Sequence, residues 1–344
     1  VGSIVEYAWS YDSNTGDYLF IPRRIRRDKD KANRVEVAES DWELILDPIT
    51  LKTMRGEDFT LLRRYHNQIK KNLYNRALRT IPHDRPTLLD IGTGNGGDVW
   101  KWLRFRRIVA VEPNAERVKE IARRAETAGI LDRVKIVNAA GQDTEVIRKA
   151  VKEWLGGPAD CISLLLSLTF FWESEAILHS LVNTVKSCSK INSKIIFLTL
   201  DGDAVDQLFN PINRGLVINK LHLGDNDTLA LANPPNERSN LGNFLTRSGS
   251  TITSGIGVAN LQLTVNSRLS PQALNIKIED SIVDQVEYLV KLGDLQLRLT
   301  GYDLDFIHTA EEERLLSPSE KLFTQLYSYG MFTKMSSTGQ EGKP

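Results

Sequence analysis

The sequence has few cysteines, no long apolar run and no excess of charge of either sign. Its two cysteines, Cys161 and Cys188, are too few in 344 residues for a disulfide framework, which favours a reducing compartment, and with no CxxC or His cluster beside them they are expected in the core. No run of 18 apolar residues and no signal-peptide pattern occurs, so the pattern predicts neither a membrane span nor secretion. Basic and acidic residues number 44 each, so a polyanion such as RNA would need local basic patches.

Between residues 87 and 200, short apolar runs alternate with longer amphipathic segments. Serial βα units of this kind predict an α/β fold with a mainly parallel sheet covered by helices on both faces. Ligands of such folds bind at the carboxyl ends of the strands. A helix over 58–79 precedes the first unit. The predicted strands are 87–91, 107–111, 133–137, 160–167 and 193–200, and the predicted helices are 97–104, 114–128, 143–155 and 173–188.

The flanking regions are less regular. Residues 4–9 and 17–27 indicate a hairpin or strand remnant, and the basic run from Arg23 to Lys31 is either a solvated edge or a surface that faces phosphates. Residues 230–254 are rich in Asn, Ser, Gly and Pro, which predicts a loop or mobile insertion. The remaining features are apolar segments at 259–265, 273–278, 286–292 and 295–300, a helix near 318–328 and a disordered tail over 335–344.

The stretch "TLLDIGTGNGGDVWKWL", residues 87–103, is a glycine-rich loop between a strand and a helix. Such a loop can bind a dinucleotide, a phosphate or S-adenosylmethionine. Gly92, Gly94 and Gly97 have GxGxxG spacing, and Glu112, at the end of the next strand, is placed to accept from ribose hydroxyls of either NAD or S-adenosylmethionine.

Two further carboxylates favour the methyl donor. Asp90, at the mouth of the first strand, would repel a pyrophosphate but attract the sulfonium and amino groups of S-adenosylmethionine. Asp143 is placed to accept from an adenine amino group. The alternative is that both aspartates only cap the helices that follow them.

The chain resembles messenger RNA cap guanine-N7 methyltransferases, especially the methyltransferase domain of multifunctional capping enzymes from large DNA viruses of the poxvirus and asfarvirus type. The resemblance covers about 55–334 and implies a class I, Rossmann-like S-adenosylmethionine-dependent methyltransferase fold. It rests, in chain order, on "HNQIKK", "LLDIGTGNGGDVWKW", "FLTLDGD", "VEYLV" and "LLSPSEKLFTQLYSYGMF".

The resemblance also implies the two halves of a site. In its cofactor half, Asn67 and Lys70 reach the methionyl carboxylate. In its cap half, Glu287 and Tyr288 are the catalytic residues and face the guanine, with Tyr329 nearby. The implied cofactor-binding residues are Asn67, Lys70, Asp90, Gly92, Gly94, Asp98, Glu112, Asp143 and Leu168, and the implied cap-binding residues are Thr169, Phe170, Phe171, Glu287, Tyr288 and Tyr329.

Two positions depart from the family pattern. Cellular members have Lys after the second loop glycine, where this chain has Asn95. They also have a His-Tyr pair after the fourth strand that packs on the guanine, where this chain has Thr169 and Phe170. Guanine recognition would therefore depend on Phe170, Phe171 and Glu287, unless the aromatic run simply packs in the core.

Residues 1–50 resemble the end of the oligonucleotide-binding-fold domain of a capping guanylyltransferase, or a linker after it. No KxDG motif occurs, so the guanylyltransferase chemistry is absent from this sequence. We expect the chain to be the C-terminal piece of a longer capping protein with upstream triphosphatase and guanylyltransferase domains. The implied location is the host cytoplasm, in viral factories, and the virion.

The implied reaction transfers a methyl group from S-adenosylmethionine to guanine N7 of 5′-capped RNA and leaves S-adenosylhomocysteine. N7 has a free lone pair at neutral pH, so neither a general base nor a metal is required. The cap triphosphate needs cations, for which Lys101, Arg104, Arg106 and Arg107 are candidates, with Arg23 to Arg27 as a track for the RNA. The alternative is that these basic residues are only solvated surface side chains.

Two other functions stay open from the sequence. One is methyl transfer from S-adenosylmethionine to a small molecule or a protein. The other is a methyltransferase-like regulatory subunit that has lost its chemistry. Whether a stimulatory subunit is needed also stays open.

Overall fold

The computed structural model describes most of the chain, in two compact units, Val1–Thr60 and Leu61–Pro344. Among the described residues, no helix combines the length and the apolar character needed to cross a membrane. The described residues are 3–12, 17–34, 37, 60–207, 228–231, 242–248, 251–258, 261–265, 273–278, 284–310, 316, 320 and 323–336.

In the first unit, β1 (Val5–Asp12) and β2 (Asp17–Ile25) form the expected antiparallel hairpin. The side chains of Arg24 and Arg26 both donate to the Glu6 carboxylate, and Arg26 also binds Asp28. Part of the basic run is therefore paired within the hairpin. Two paired strands do not establish an oligonucleotide-binding fold, so that part of the expectation is not confirmed.

The second unit contains the predicted βα series. The helices are α1 (Thr60–Thr80), α2 (Ala115–Thr127), α3 (Thr144–Ala150), α4 (Glu175–Cys188), α5 (described over 202–207) and α6 (Leu292–Arg298). The strands of its larger sheet are β3 (Thr87–Ile91), β4 (Arg107–Val111), β5 (Val134–Val137), β6 (Ala159–Leu165), β7 (Ser189–Leu200), β14 (Tyr302–Thr309) and β15 (Tyr327–Lys334).

These seven strands have the order β14-β15-β7-β6-β3-β4-β5. The run from β7 to β5 is parallel, and β15 is antiparallel to both of its neighbours. A parallel doubly wound sheet with a reversed strand inserted near one edge is the architecture of class I S-adenosylmethionine-dependent methyltransferases. The predicted fold class is confirmed.

The core lies on both faces of this sheet. All residues of β3 and β6 are buried, which explains why these strands are continuous apolar runs without alternation. Both cysteines are buried and free, Cys161 in β6 and Cys188 at the end of α4. Burial raises the pKa of both thiols, so they are core residues as expected.

Residues 228–288 contribute a second, six-stranded antiparallel sheet. The prediction of a loop over 230–254 is wrong over 230–231, 242–248 and 251–254, because β8 pairs with β9, and β9 pairs with β10 with Ser248 opposite Thr251. The sequence signal was a two-residue connection between β-branched runs, which outweighs the polar composition. The strands are β8 (Thr228–Leu231), β9 (Gly242–Ser248), β10 (Thr251–Val258), β11 (Leu261–Val265), β12 (Ala273–Ile278) and β13 (Asp284–Tyr288).

Several predicted helices differ in type or length. The helix predicted over 97–104 is only a 3₁₀ turn, Val99–Trp102, and the helix over 143–155 is α3 followed by a π turn, Val151–Leu155. A 3₁₀ turn, Leu168–Glu173, precedes α4. The apolar segment 295–300 lies mostly in α6, and β15 already begins at Tyr327, inside the helix predicted near 318–328. The predicted tail lies outside the described residues from 337 onward.

Candidate active site

The strand order creates a crevice at the carboxyl ends of β3 and β6. The chain passes from β3 to β4 on one side and later returns to place β6 on the other, with Asp90 opposite Ser163. Crossovers on opposite sides of adjacent parallel strands leave a gap at this edge, where ligands of doubly wound sheets bind. The glycine loop that follows β3 borders this gap.

Three glycines give the loop its shape, and they are not the three that the motif predicted. Gly92, Gly94 and Gly96 have φ values of +77°, +60° and +73°. A Cβ atom on Gly92 would lie 2.4 Å from Cβ of Ser167, so the loop passes directly against the end of β6. Gly97 has neither a positive φ nor a close neighbour, so the pattern is GxGxG, ending at Gly96.

The segment after the loop is unsuited to a pyrophosphate. A dinucleotide fold places the pyrophosphate at the N-terminus of an α-helix, where aligned N–H groups and the helix dipole attract it. Here the loop leads into Val99–Trp102, a four-residue 3₁₀ turn. The carboxylates beside the loop, Asp90, Asp98 and Glu112, would also repel a pyrophosphate.

Asp90 is a buried carboxylate within a small polar network. Its Oδ1 accepts from the hydroxyls of Ser163 and, at 3.3 Å, Tyr74. The Tyr74 hydroxyl also lies 3.1 Å from Ser163 Oγ and 3.3 Å from the indole nitrogen of Trp102. Burial, and then the negative charge of Asp98, raises the pKa of Asp90 to about 6. A cation close to Asp90 would therefore stabilise the ionised form of this carboxylate.

Tyr74 and Ser163 were not predicted as site residues. Tyr74 lies in the apolar stripe of α1, where an aromatic side chain ordinarily indicates core packing, and Ser163 lies between apolar residues in the middle of β6. The serine was the available signal, because a lone hydroxyl in a buried strand needs a partner.

Asp98 organises a second cluster beside the loop. Lys70 donates to its Oδ2 at 3.1 Å, and Lys101 forms an ion pair of 2.8 Å with its Oδ1. Lys101 also lies 3.3 Å from Asn67 Oδ1. Burial alone would raise the pKa of Asp98, but Lys70 and Lys101 outweigh it and hold that pKa below its ordinary value. Asn67, Lys70 and Asp98 lie together in this cluster, and Lys101 belongs to it as well.

Glu112 directly follows β4, and Asp143 lies in the connection between β5 and α3. The buried Glu112 carboxylate accepts from the backbone N–H of Gly94 at 2.8 Å and of Asn114 at 3.1 Å, so it fastens the loop to the end of β4. Asp143 precedes α3 but does not cap it, since its Oδ2 accepts from Ala140 N–H instead. The capping alternative is therefore wrong for Asp143, and Asp90 precedes a loop, not a helix N-terminus.

The segment after β6 separates the predicted aromatic residues. Phe170 is 49% exposed, whereas Phe171 is buried, and its ring would be 2.5 Å from a Cβ atom at Gly141. The prediction that Phe171 contacts the guanine is wrong, because its ring fills the core. Leu168 is fully buried, so its side chain is a core residue of the segment. Thr169 is buried as well, and its Oγ1 has no hydrogen bond to any described residue.

The segment "VEYLV" crosses the carboxyl edge of the sheet. Val290 forms a bridge with Asp201, just after β7, and β13 runs beside the turn Leu168–Glu173. Glu287 is only 8% exposed, and its charge, after burial, raises the pKa of the Tyr327 hydroxyl. Tyr288 instead packs against the core cluster. Neighbouring residues of a strand point to opposite faces, so Glu287 and Tyr288 lie on different faces of β13.

The resemblance implies that Tyr329 lies near the cap. In the structure it lies within the larger sheet, on β15. It pairs with Leu198, two residues before the end of β7. The centroid of its ring lies 5.7 Å from that of His308 and 6.5 Å from that of Phe306. The guanidinium of Arg76 lies 3.8 Å from the centroid of the Phe306 ring. The ring is thus part of an aromatic cluster on the sheet.

The arginines proposed for the triphosphate lie at the wrong edge. Arg107 is the first residue of β4, and Arg104 and Arg106 precede it, so all three lie at the amino edge of the parallel strands. The crevice is at the carboxyl edge, about 13 Å farther along β4. The triphosphate assignment of Arg104, Arg106 and Arg107 is therefore wrong. Among the described residues, no group of three His, Cys, Asp or Glu side chains is arranged to hold a metal ion.

Comparison with known proteins gives limited matches. No family model matches the chain. A segment of 57 residues is 47% identical to the protein named uncharacterized killer plasmid pGKl-2 protein 3 of Kluyveromyces lactis, and it covers 16% of this chain and 9% of that protein. The match thus spans less than a tenth of the length of that relative.

Solved structures similar to this chain include three methyltransferases. The CcbJ methyltransferase of Streptomyces caelestis is 10% identical, with a TM-score of 0.43 over 77% of this chain and 90% of that chain. CalS10, an amino pentose methyltransferase of Micromonospora echinaspora with bound S-adenosylmethionine, is 10% identical, with a TM-score of 0.42 over 89% and 99%. An S-adenosylmethionine-dependent methyltransferase of Clostridium acetobutylicum is 11% identical, with a TM-score of 0.41 over 88% and 98%. Likeness at this level does not bear on the substrate.

Proposed function

We propose that this chain is an RNA cap guanine-N7 methyltransferase that uses S-adenosylmethionine. The observation that carries the proposal is the position of Glu287. This buried carboxylate lies on a strand that runs beside the segment after β6, at the edge of the sheet where the crevice opens. A carboxylate at that edge matches the chemistry of a guanine that becomes cationic.

The cofactor half of the site fits S-adenosylmethionine by charge. Asp90 would attract the sulfonium and amino groups, because its raised pKa reflects a buried carboxylate with no cation in contact. The ammonium of Lys70 has three donors and uses one on Asp98, so it can also bind the methionyl carboxylate, with Asn67 beside it. Glu112 would accept from the ribose and Asp143 from the adenine amino group. S-adenosylmethionine supplies an electrophilic methyl group when bound.

Methyl transfer to N7 requires positioning and no proton transfer. The N7 lone pair lies in the plane of the guanine and attacks the methyl group in line with the departing sulfur. Holding two reactants in that geometry contributes roughly 7 to 11 kcal/mol in favourable cases. The methyl carbon–sulfur bond breaks as the N7–carbon bond forms, so positive charge moves from the sulfonium to the guanine.

Glu287 has two tasks in this scheme. Its carboxylate stabilises the charge that develops on the guanine, and it accepts from N1–H and the N2 amino group. The half-exposed ring of Phe170 offers a face on which the guanine can stack. Thr169 contributes an unpartnered hydroxyl next to it.

The partners belong to the same proposal. The RNA substrate carries a 5′ GpppN cap, and the triphosphatase and guanylyltransferase that build this cap are upstream domains of the same polypeptide. A viral capping enzyme of this kind would act in the host cytoplasm, in viral factories, and in the virion.

The test is the substitution Glu287→Gln, which removes the charge but keeps the shape. We expect kcat/KM for capped RNA to fall by about 100-fold or more, because a group aimed at transition-state charge is lost. The affinity for S-adenosylmethionine, measured by calorimetry, should change less than about twofold. Glu116→Gln is the matched control, since Glu116 is an exposed carboxylate paired only with Lys119.

Equal losses of turnover and cofactor affinity would contradict the assigned role. Thermal unfolding of the variant distinguishes that outcome from a destabilised protein. A chain that binds S-adenosylmethionine but shows no transfer in either form would favour a regulatory subunit.

A further inference from the structure

A cavity of about 520 Å³ lies at the amino edge of the parallel strands, away from the crevice. Arg85 precedes β3, Arg107 begins β4, and Arg133 immediately precedes β5. The cavity is lined by Asp84, Arg85, Arg104, Phe105, Arg106, Arg107, Asp132 and Arg133. Five arginines thus face one concave surface that holds two aspartates.

The charge of these arginines is not cancelled by described carboxylates. Arg107 donates to the carbonyl oxygen of Trp154 at 2.7 Å, and its guanidinium lies over the Trp154 ring at 5.4 Å from the centroid. Arg133 donates to the carbonyl oxygens of Leu103 and Phe105, each at 3.2 Å. Neutral partners fix the direction of a guanidinium but leave its positive charge intact.

Several arginines elsewhere in this unit form ion pairs with carboxylates. Arg123 and Arg124 both bind Glu120, and Arg148 binds Glu145. Exposed pairs of this kind offset each other's charge. In the described chain, no such pair involves an arginine of the cavity, so the positive charge of this edge is not offset by ion pairs.

We propose that this arginine-lined cavity binds the phosphate groups of single-stranded RNA. The guanidinium fork matches phosphate oxygens with paired hydrogen bonds, and several guanidiniums around one concavity suit a ligand with closely spaced phosphates. The site lies about 13 Å along β4 from the carboxyl edge, so it is separate from the methyl-donor crevice. The proposal does not depend on the methyl transfer proposed above.

The test uses the full chain and a short uncapped RNA with a fluorescent label. Arg104→Gln combined with Arg106→Gln removes two exposed guanidiniums that line the cavity. We expect RNA affinity, measured by anisotropy at low salt, to fall by about tenfold or more. The slope of log K against log salt should become less negative by about 1.4, at about 0.7 per phosphate contact on a single strand.

The control is Arg123→Gln combined with Arg148→Gln, which removes the same charge from two paired arginines. It should keep the wild-type affinity and slope. Equal weakening by both variants, or no weakening by the first, would overturn the proposal. Competition by polyglutamate as effective as that by RNA of equal charge would also overturn it and indicate an acidic protein partner.

A second readout separates this inference from the proposed function. The Arg104→Gln and Arg106→Gln variant should methylate the GpppA dinucleotide at the wild-type rate, because that substrate has no RNA to reach the cavity. If the wild type transfers no methyl group to any substrate, the proposed function is wrong. The anisotropy measurement of RNA affinity still tests the RNA-binding proposal, because it does not depend on methyl transfer.

Discussion

At the scale of single residues, Asp90 is the most informative side chain of the crevice. Its carboxylate is buried, and the hydrogen bond that Ser163 donates only partly offsets the effects of burial and of Asp98 on its pKa. Because its pKa is about 6 in the folded chain against 3.8 ordinarily, the folded state holds a proton that the unfolded state releases. This group alone lowers the free energy of unfolding as pH rises from about 4 to about 6.

The same pKa predicts the pH dependence of cofactor binding. A cationic ligand next to Asp90 favours its ionised form, so S-adenosylmethionine affinity should be constant above pH 7 and fall below about pH 6, by up to about tenfold per pH unit. Asp98 and His66 titrate lower: Lys70 and Lys101 hold the pKa of Asp98 down, and burial holds that of His66 at about 4. Calorimetry across this range measures the effect.

Asp90→Asn is the control for that titration. It should bind S-adenosylmethionine more weakly and lose the pH dependence near 6. An Asn variant with the wild-type pH profile would show that another group titrates and would contradict the account of Asp90.

At the scale of elements, the loop between β3 and the turn Val99–Trp102 sets the shape of the cofactor half. Gly92→Ala should abolish measurable S-adenosylmethionine binding and lower the melting temperature, because the new Cβ would lie 2.4 Å from Ser167 Cβ at a φ of +77°. The left-handed conformation alone costs a non-glycine residue about 1–2 kcal/mol. Calorimetry and thermal unfolding give the two readouts.

Gly97→Ala is the matched substitution within the same loop. Gly97 has no positive φ and no atom within 4 Å of the added Cβ, so binding and stability should be nearly unchanged. If Gly97→Ala were as damaging as Gly92→Ala, the GxGxxG interpretation would be right and the observed role of Gly96 wrong.

The elements also show what sequence could predict. The parallel strands and their helices were predictable because buried strands are continuous apolar runs and the helices are amphipathic. The carboxylates Asp90, Glu112 and Asp143 were predictable because strand ends define the crevice. The strands β9 and β10 were not predicted, because their polar composition is typical of a loop. The two residues between them are the spacing of a β-hairpin.

Other predictions were wrong because residues that are close in the sequence can lie apart in the structure. Arg104, Arg106 and Arg107 follow the glycine loop closely in the chain, yet the next strand begins there, so they lie at the opposite edge. Phe170 and Phe171 are neighbours, but only tertiary packing against Gly141 decides which ring enters the core. Tyr74 could not be distinguished from a packing residue, since its hydroxyl contacts partners from three other elements.

At the scale of the whole molecule, the formal net charge is zero, but the two opposite edges of the larger sheet carry side chains of opposite charge. The carboxyl edge carries Asp90, Glu112 and Glu287, which suit a cationic methyl donor and a guanine that becomes cationic. The amino edge carries the arginine-lined cavity, which suits phosphates. The fold separates the two charges, and the proposed chemistry and the proposed RNA contact each use one of them.

The most direct test of the central claim compares two RNAs of one sequence, one with a GpppA cap and one with a 5′ triphosphate, each incubated with the chain and labelled S-adenosylmethionine. Digestion and mass spectrometry then locate the methyl group. The account predicts 7-methylguanosine from the capped RNA and no label on the uncapped RNA. Methylation at any other atom, or equal labelling of both RNAs, would contradict it.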